Sequence, residues 1–343
     1  MAPSFKHIVV LTGDHRLPDP TKRNAQYNEE DTTTHEAMRT AFRTLSEFEF
    51  VFMDDHSTLL EYFRNHPPDL VVNFCDTGFR NNPTQELNIP TYLELLGIPY
   101  TGAPPSAMVI CYDKAIVRLV AQAHGVGVPR EHFVAAGESL DSLPHFFPAI
   151  IKPNTGDGSV GITKEAVVRT PVEARNYMQW LRTTLPGRDA LMQEYLAGPE
   201  YGVGVIGNPE TELRILPFLE VDFSRLPAGL NPILSFESKA FPDSPYWTDI
   251  RFKPADLPST LEAKMKDWVR TLFTRLGLRD YARFDFRVAG DGEPKLMEVN
   301  PNPAWANDGK LAFMAGFAGI EYPQMLELIL RAALKRLSEA SHS

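Results

Sequence analysis

Arg283 and Asp285 stand two residues apart in Tyr281-Ala-Arg-Phe-Asp-Phe-Arg287, and Glu298 and Asn300 stand two apart in Leu296-Met-Glu-Val-Asn300-Pro-Asn302-Pro303. Side chains two apart on a strand share a face. The pair Asp291-Gly292 between the two runs is a short hairpin signal, and a fold-back there brings both polar pairs side by side. The shared face then carries two carboxylates, an amide oxygen and a guanidinium. Hard oxygen ligands of this kind hold Mg2+ together with the phosphates of a nucleotide. A guanidinium beside them can stabilise negative charge that develops on an oxygen during group transfer. Because Phe284, Phe286, Met297 and Val299 alternate with these residues, the polar face is single. A solvated hairpin with surface ion pairs is the alternative.

A second candidate is Lys152-Pro-Asn-Thr-Gly156-Asp-Gly158-Ser159-Val-Gly161. It contains G-x-G-x-x-G, but a dinucleotide fingerprint must open a helix, and Ile162-Thr-Lys reads as another short strand. Gly161 is not followed by lysine, so the P-loop pattern fails as well. What remains is a glycine-rich loop between strands, whose N–H groups can cover phosphates, with Lys152 at its root as a point charge. An ordinary glycine-rich turn is the competing reading.

These loops need strands and helices to hold them. The first third alternates strand-like and helical runs: strands at 7–11, 48–53 and 69–74, helices at 34–45 and 59–65. That alternation predicts a βαβ parallel-sheet domain. Thr12 to Thr33, with Pro18 and Pro20, is too polar for a core and reads as a long loop, of the kind that serves as a lid. A helix at 115–124 ends at Gly125-Val-Gly-Val-Pro129. Beyond it the strands come in pairs, predicting antiparallel hairpins of 149–152 with 160–163 and of 191–196 with 202–206, around a helix at 172–185. Helices at 261–276 and 322–337 flank the polar hairpin, and the tail from Ser338 reads as frayed.

The chain of 343 residues is long enough for two or three domains, and 43% apolar with 23% charged residues is the composition of a folded globular protein. Its net charge of −10 argues against a nucleic-acid partner. Cys75 and Cys111 cannot form a disulfide framework and are expected reduced. With no signal-like leader and no apolar run of about 20 residues, neither export nor a membrane span is expected, and the cytoplasm is the default.

Five ordered blocks carry a resemblance: Leu93-Glu-Leu-Leu-Gly-Ile-Pro-Tyr-Thr-Gly102, Tyr112-Asp-Lys114, the loop from Ile151, Glu194-Tyr-Leu-Ala-Gly-Pro-Glu200, and the block from Arg283 to Pro303. Together, from about Asp69 to Leu328, they resemble the D-alanine–D-alanine ligase branch of the ATP-grasp superfamily. The resemblance implies an α/β, three-domain ATP-grasp fold: residues 1–112, 113–196 and 197–338, with ATP between the last two. It implies ATP and two Mg2+ ions, with Mn2+ as a substitute, small-molecule carboxylate and amine substrates, and a cytoplasmic homodimer without nucleic-acid or membrane partners. The implied activity forms an amide or peptide bond through an acyl phosphate, releasing ADP and phosphate. A phosphotransferase and a non-catalytic nucleotide sensor stay open as alternatives.

The same resemblance assigns roles. Lys114, Lys152 and Lys239 meet ATP phosphates under the loop of Gly156, Gly158, Ser159 and Gly161. Glu194, Tyr195 and Leu196 form a hinge at adenine, and Glu200 meets the ribose. Asp285, Glu298 and Asn300 hold the metal, and Arg283 faces the acyl phosphate. The amino-acid half departs from the family. Gly158 and Ala240 stand where the two-alanine enzymes have serine and tyrosine, and Gly309-Lys310 where they have serine and leucine. Trp305, Asp308, Gly309 and Lys310 become candidates for the second substrate, and Glu30 or Asp31 in the long loop for the ammonium of the first.

Overall fold

The structure is a computed structural model that describes residues 5–20, 22–156 and 158–340. Three strands open the chain: β1 (His7–Leu11), β2 (Glu49–Met53) and β3 (Leu70–Asn73), parallel in the order β2-β1-β3. A parallel sheet must be covered on both faces. Ile8 and Val10 cluster with Met38 and Phe42 of the helix Glu29–Arg43, while Val9 and Leu11 cluster with Leu59 and Phe63 of the helix Leu59–Asn65. The helix expected from Thr34 thus starts five residues earlier. Its Asn28 cap accepts from the N–H groups of Glu30 and Asp31, and Asp31 reaches back to the Asn28 N–H. The turn 29–33 holds no apolar residue, so hydrophobic periodicity is blind to it, and capping chemistry alone marks the start.

A second, antiparallel sheet is built from β4 (Glu131–Val134), β5 (Ala149–Pro153), β6 (Val167–Val168) and β7 (Ala190–Glu194), in the order β4-β7-β5-β6. The helix Pro171–Thr184 covers it with Ala174, Tyr177, Met178 and Leu181. Neither expected hairpin forms. Residues 160–163 are not a strand, because Gly158, Ser159 and Gly161 all hold positive φ (66°, 59° and 77°) and turn the chain, so that β6 takes their place beside β5. The second pair is divided between sheets. β7 pairs with β4 and β5, and Ala197-Gly198-Pro199 then carries the chain across to the third sheet, Pro199 lacking the N–H that would continue a ladder.

The third sheet holds β8 (Glu200–Asn208), β9 (Glu212–Ile215), β10 (Leu219–Asp222), β11 (Arg251–Pro254), β12 (Tyr281–Val288) and β13 (Pro294–Asn300). Its order is β11-β10-β8-β12-β13, with β9 also on β8. All nine residues of β8 are buried. On β12 the apolar face packs Phe284 and Phe286 with Val203, Val205 and Phe273, each such aromatic stabilising the fold by about 1.5–3 kcal/mol. The helix Lys114–Ala123 sends Val117 and Ala121 into this same core, so Lys114 stands on the C-terminal body although its number falls within 113–196. The last helix, Tyr322–Ala340, runs past Leu337, so residues 338–340, expected to fray, are helical; residues 341–343 lie outside the described residues.

Asp280 fastens the first sheet to the third. Fully buried, its carboxylate accepts from the Gly102 N–H (2.9 Å), the Asn208 amide (2.9 Å) and the Arg336 Nε and Nη2 (2.9 and 2.8 Å). Arg336 also donates to the Tyr100 carbonyl at 3.0 Å.

Candidate active site

The turn at Asp291-Gly292 closes as its residues require. The Ala289 N–H donates to the Glu293 carbonyl (2.9 Å), the Gly292 N–H donates to Ala289 (3.0 Å), and Gly292 takes φ 83°. Folding there sets Arg283 opposite Asn300 and Asp285 opposite Glu298. The two polar pairs thus lie side by side, and Arg283, Asp285 and Glu298 line a cavity of about 500 Å³.

Arg283 grips Asp285 with a fork, Nε to Oδ1 and Oδ2 at 2.9 and 3.2 Å and Nη2 to Oδ2 at 3.0 Å. Burial raises the Asp285 pKa, but Arg283 and Lys310 outweigh it and hold the carboxyl below the usual carboxylate range. Glu200, at the start of β8, shifts the other way: burial pushes it up against the pull of Lys310 and Arg287. Lys152, at the end of β5, is buried, and burial together with Lys114 depresses its ammonium to about 8. Asn300 donates to Asp285 Oδ2 at 3.4 Å.

Lys114, Lys152, Gly156, Ser159, Glu200 and Lys239 line the cavity, together with Arg283, Asp285, Glu298, Asp308, Gly309 and Lys310. The loop closes over it by docking on the third body. The Ser159 hydroxyl donates to the Leu234 carbonyl (2.9 Å) and the Phe236 N–H to the Ile162 carbonyl (2.8 Å). Gly161 allows the turn, since a Cβ there would meet Pro153, Leu181 and Leu185 at 2.8–2.9 Å. Asp157 lies outside the described residues.

Other candidates stand apart. Glu194, Tyr195 and Leu196 border a separate cavity of about 350 Å³, with Lys295 bonded to Glu194 at 2.6 Å. Trp305, expected near the second substrate, is only 5% exposed. It stacks on Phe74 and donates to the Phe74 carbonyl at 2.8 Å, so its indole anchors the segment to the first sheet. Glu30 and Asp31 border a third cavity of about 570 Å³, whose opposite wall is Lys239, Ala240, Pro242 and Trp247. Asp31 is engaged there by the Asn28 cap and by Lys22 at 2.5 Å. Lys239 and Trp247 line the first and third cavities alike, which makes the two neighbours.

Three positions in the site were missed in the sequence. Arg287 is buried, lines the main cavity and pairs with Glu200 at 3.4 Å. Its signal was available, since it is third in the period-two row after Arg283 and Asp285. Asn154 accepts the N–H groups of Lys114 (3.2 Å) and Ala115 (3.0 Å), tying the loop to the N-terminus of the helix Lys114–Ala123. Glu86, buried, accepts from the Asn302 amide at 2.7 Å and from the Tyr112 hydroxyl at 2.5 Å, joining the segment after β13 to the segment before Lys114. Nothing local in the sequence marks a residue whose partners lie 26 and 216 positions away.

Among the described residues no three His, Cys, Asp or Glu side chains gather as a ready metal site. A cation in this cavity would be held by Asp285 and Glu298 with the Asn300 amide and oxygens of a substrate, a donor set that suits Mg2+. No helix of the described residues is long and apolar enough to cross a membrane.

Residues 136–331 match the family model described as D-ala D-ala ligase C-terminus. The D-alanine–D-alanine ligase of Bordetella petrii is 30% identical over 73% of this chain and 73% of its own length. An uncharacterised protein of Sinorhizobium fredii, y4sG, is 30% identical over 73% of this chain and 70% of its own length. Among solved structures, the D-alanine–D-alanine ligase of Bacillus anthracis complexed with ATP superposes with a TM-score of 0.70 at 20% identity. That match covers 98% of this chain and 99% of the other. The VanG D-Ala:D-Ser ligase of Enterococcus faecalis gives 0.69 at 18% identity, over 96% and 99%.

Proposed function

This chain belongs to the D-alanine–D-alanine ligase family of ATP-dependent carbon–nitrogen ligases with the ATP-grasp fold, and from that premise we propose that it joins a carboxylate to an amine other than a pair of D-alanines. One observation carries the reading: Lys114, Lys152 and Lys239, the carboxylate pair and Arg283 line one cavity, which adjoins a second beside the insertion.

In this reading ATP lies with adenine against Ile150, Ile233, Leu234 and Met297, a largely apolar wall of the main cavity. Lys114, Lys152 and Lys239 offset the charge on its phosphates. Asp285, Glu298 and Asn300 hold Mg2+, which neutralises phosphate charge when bound. A carboxylate oxygen of the donor attacks the γ-phosphorus, the bond to ADP breaks, and an acyl phosphate results. The acceptor amine then attacks the acyl carbon, phosphate leaves, and the amine gives up its proton. Arg283 faces the oxygen on which charge builds in that second step. The loop 156–161 keeps water from the acyl phosphate. We place the hinge at Glu194–Leu196, at the end of β7, and the reaction in the cytoplasm, where the unpaired Cys75 and Cys111 stay reduced. A homodimer fits the exposed apolar side chains Leu95, Val109 and Leu119, and sedimentation tests it.

The substrate half supports a larger donor. Gly158 and Ala240 lack the hydroxyls of the two-alanine enzymes, and the cavity beside Ala240 is walled by Tyr27, Trp247 and Glu30. D-Alanine alone, at millimolar concentration, is expected to give little dipeptide. A panel of amino acids and dipeptides, followed by ADP release and mass spectrometry, is expected to find a pair with a larger or charged member. Turnover of D-alanine at a rate comparable with that of any other pair would sink the claim.

Lys152 gives a further test. With its ammonium at about 8 in the free protein, it is charged below that pH and neutral above it, and bound phosphate favours the charged form. ATP affinity should therefore be flat below pH 8 and fall by up to about tenfold per pH unit above it. Calorimetry at pH 7 and pH 9 measures this, and Lys152→Met should both weaken ATP and flatten the profile. A wild-type affinity that is equal at the two pH values would place the phosphates elsewhere.

A further inference from the structure

Trp247 and Phe252 both line the main cavity, and with 38 and 36% of their surfaces exposed they present apolar area that the fold does not cover. Their neighbours in the wall, Tyr246 and Ile250, are buried and serve as scaffold. Trp247 sits on the short helix Pro245–Thr248, which is held by Tyr246, whose hydroxyl donates to the Asn231 carbonyl at 3.0 Å. Phe252 is on β11, backed by Phe313 of the helix Lys310–Phe317 at a ring separation of 5.8 Å. Both rings are in place before any ligand arrives, so binding need not order them.

ATP and the donor do not account for this surface. ATP has one apolar part, its adenine, which meets Ile150, Ile233, Leu234 and Met297 in the reading above. The cavity beside the insertion is lined largely by charged and amide side chains such as Lys22, Glu30 and Asn24, and Trp247 borders it but Phe252 does not. Phe252 lies instead beside the centre of the reaction. The Lys310 ammonium is 6.0 Å from the Phe252 ring centroid and 3.7 Å from Asp285 Oδ2, the oxygen to which Arg283 Nη2 donates at 3.0 Å. An amine that reaches an acyl carbon in front of Arg283 can therefore extend its side chain past Lys310 onto the Phe252 ring.

We infer that the acceptor is an amine carrying an aromatic or branched apolar group that packs on Phe252 and Trp247, with Phe252 the residue that selects for its size. The inference rests on the reading of this cavity as the site of ligation, and it adds the class of the acceptor. A small amine leaves both rings wet. A large one takes their apolar surface out of water as it brings its nitrogen to the acyl carbon, and this favours it over the small one.

Hydroxylamine, glycine, alanine, leucine and phenylalanine are the acceptor probes, the last three as both enantiomers, each offered to the full chain with ATP, Mg2+ and a carboxylate that supports ADP release. Hydroxylamine traps an acyl phosphate as the hydroxamate and has no side chain, so each amide yield is divided by the hydroxamate yield of the same protein. Losses in folding, ATP binding or donor activation then cancel. Wild type should favour leucine or phenylalanine over glycine by at least about tenfold. Phe252→Ala should bring that preference close to unity, and Phe252→Leu, a milder change, should lower phenylalanine more than leucine. Glycine or alanine used by wild type as well as the large amines overturns the inference, as does hydroxamate without any leucine or phenylalanine product, or a preference undiminished in both variants. A wild type that gives neither hydroxamate nor ADP with any carboxylate would instead sink the ligase reading, so the two failures are distinct.

Discussion

Arg283→Lys is expected to lower kcat by about 10² to 10³, the cost of losing one preorganised donor at a developing oxyanion, while KM for ATP changes little. The reason is geometric. The guanidinium meets both oxygens of Asp285 through Nε and Nη2, which fixes its plane and directs its remaining N–H groups. Lysine offers a point charge on a flexible stem, so it can neutralise Asp285 but cannot hold that plane. Glu298→Gln, which keeps shape and removes ligand charge, should lose turnover together with Mg2+ dependence while the fold is retained. Steady-state ADP release with both substrates separates the outcomes. An unchanged kcat with a raised KM in Arg283→Lys would mean that the arginine binds only the ground state.

Asp280→Ala is expected to cost about 3–5 kcal/mol of stability, the usual result of breaking a buried charge pair from one side. Its carboxylate answers four donors, from Gly102, Asn208 and two nitrogens of Arg336, and alanine leaves all of them without it. Asp280→Asn should cost less, because asparagine keeps an acceptor and tolerates the positive φ of 65° at this position. Urea unfolding of the three proteins measures the difference. Equal midpoints for alanine and wild type would show that the first and third sheets are held together by other contacts.

The polar hairpin was legible because its information is local. Period-two alternation, a two-residue turn signal and aromatic residues on the opposite face suffice to pair Arg283 with Asn300 and Asp285 with Glu298. The βαβ start was legible for the same reason. Strand partnership was not. Nothing in 191–206 tells that β7 and β8 belong to different sheets, since both runs are apolar and the dividing Ala-Gly-Pro looks like a turn. The run 160–163 misled because Val-Gly-Ile-Thr has strand composition, while its backbone is governed by positive φ at Ser159 and Gly161. The family resemblance gathered the lysines and acids into one cavity and assigned Lys310 and Trp305 to a substrate. It gave no sign that their side chains also meet Asp285 and Phe74, partners fixed by packing between distant segments.

The first and third sheets are fastened by Asp280, Arg336 and Trp305, whereas the second is entered and left through single strands of chain and carries Lys152 and the loop onto the segment 233–237. That segment leads directly to Lys239, which borders both cavities. A ligand in either cavity that favours the docked loop therefore favours it for the other, and the free energy of that coupling is one number read from two directions. ATP should tighten the donor by the same factor by which the donor tightens ATP, so cooperativity between unlike ligands follows from one docked loop beside two adjoining cavities.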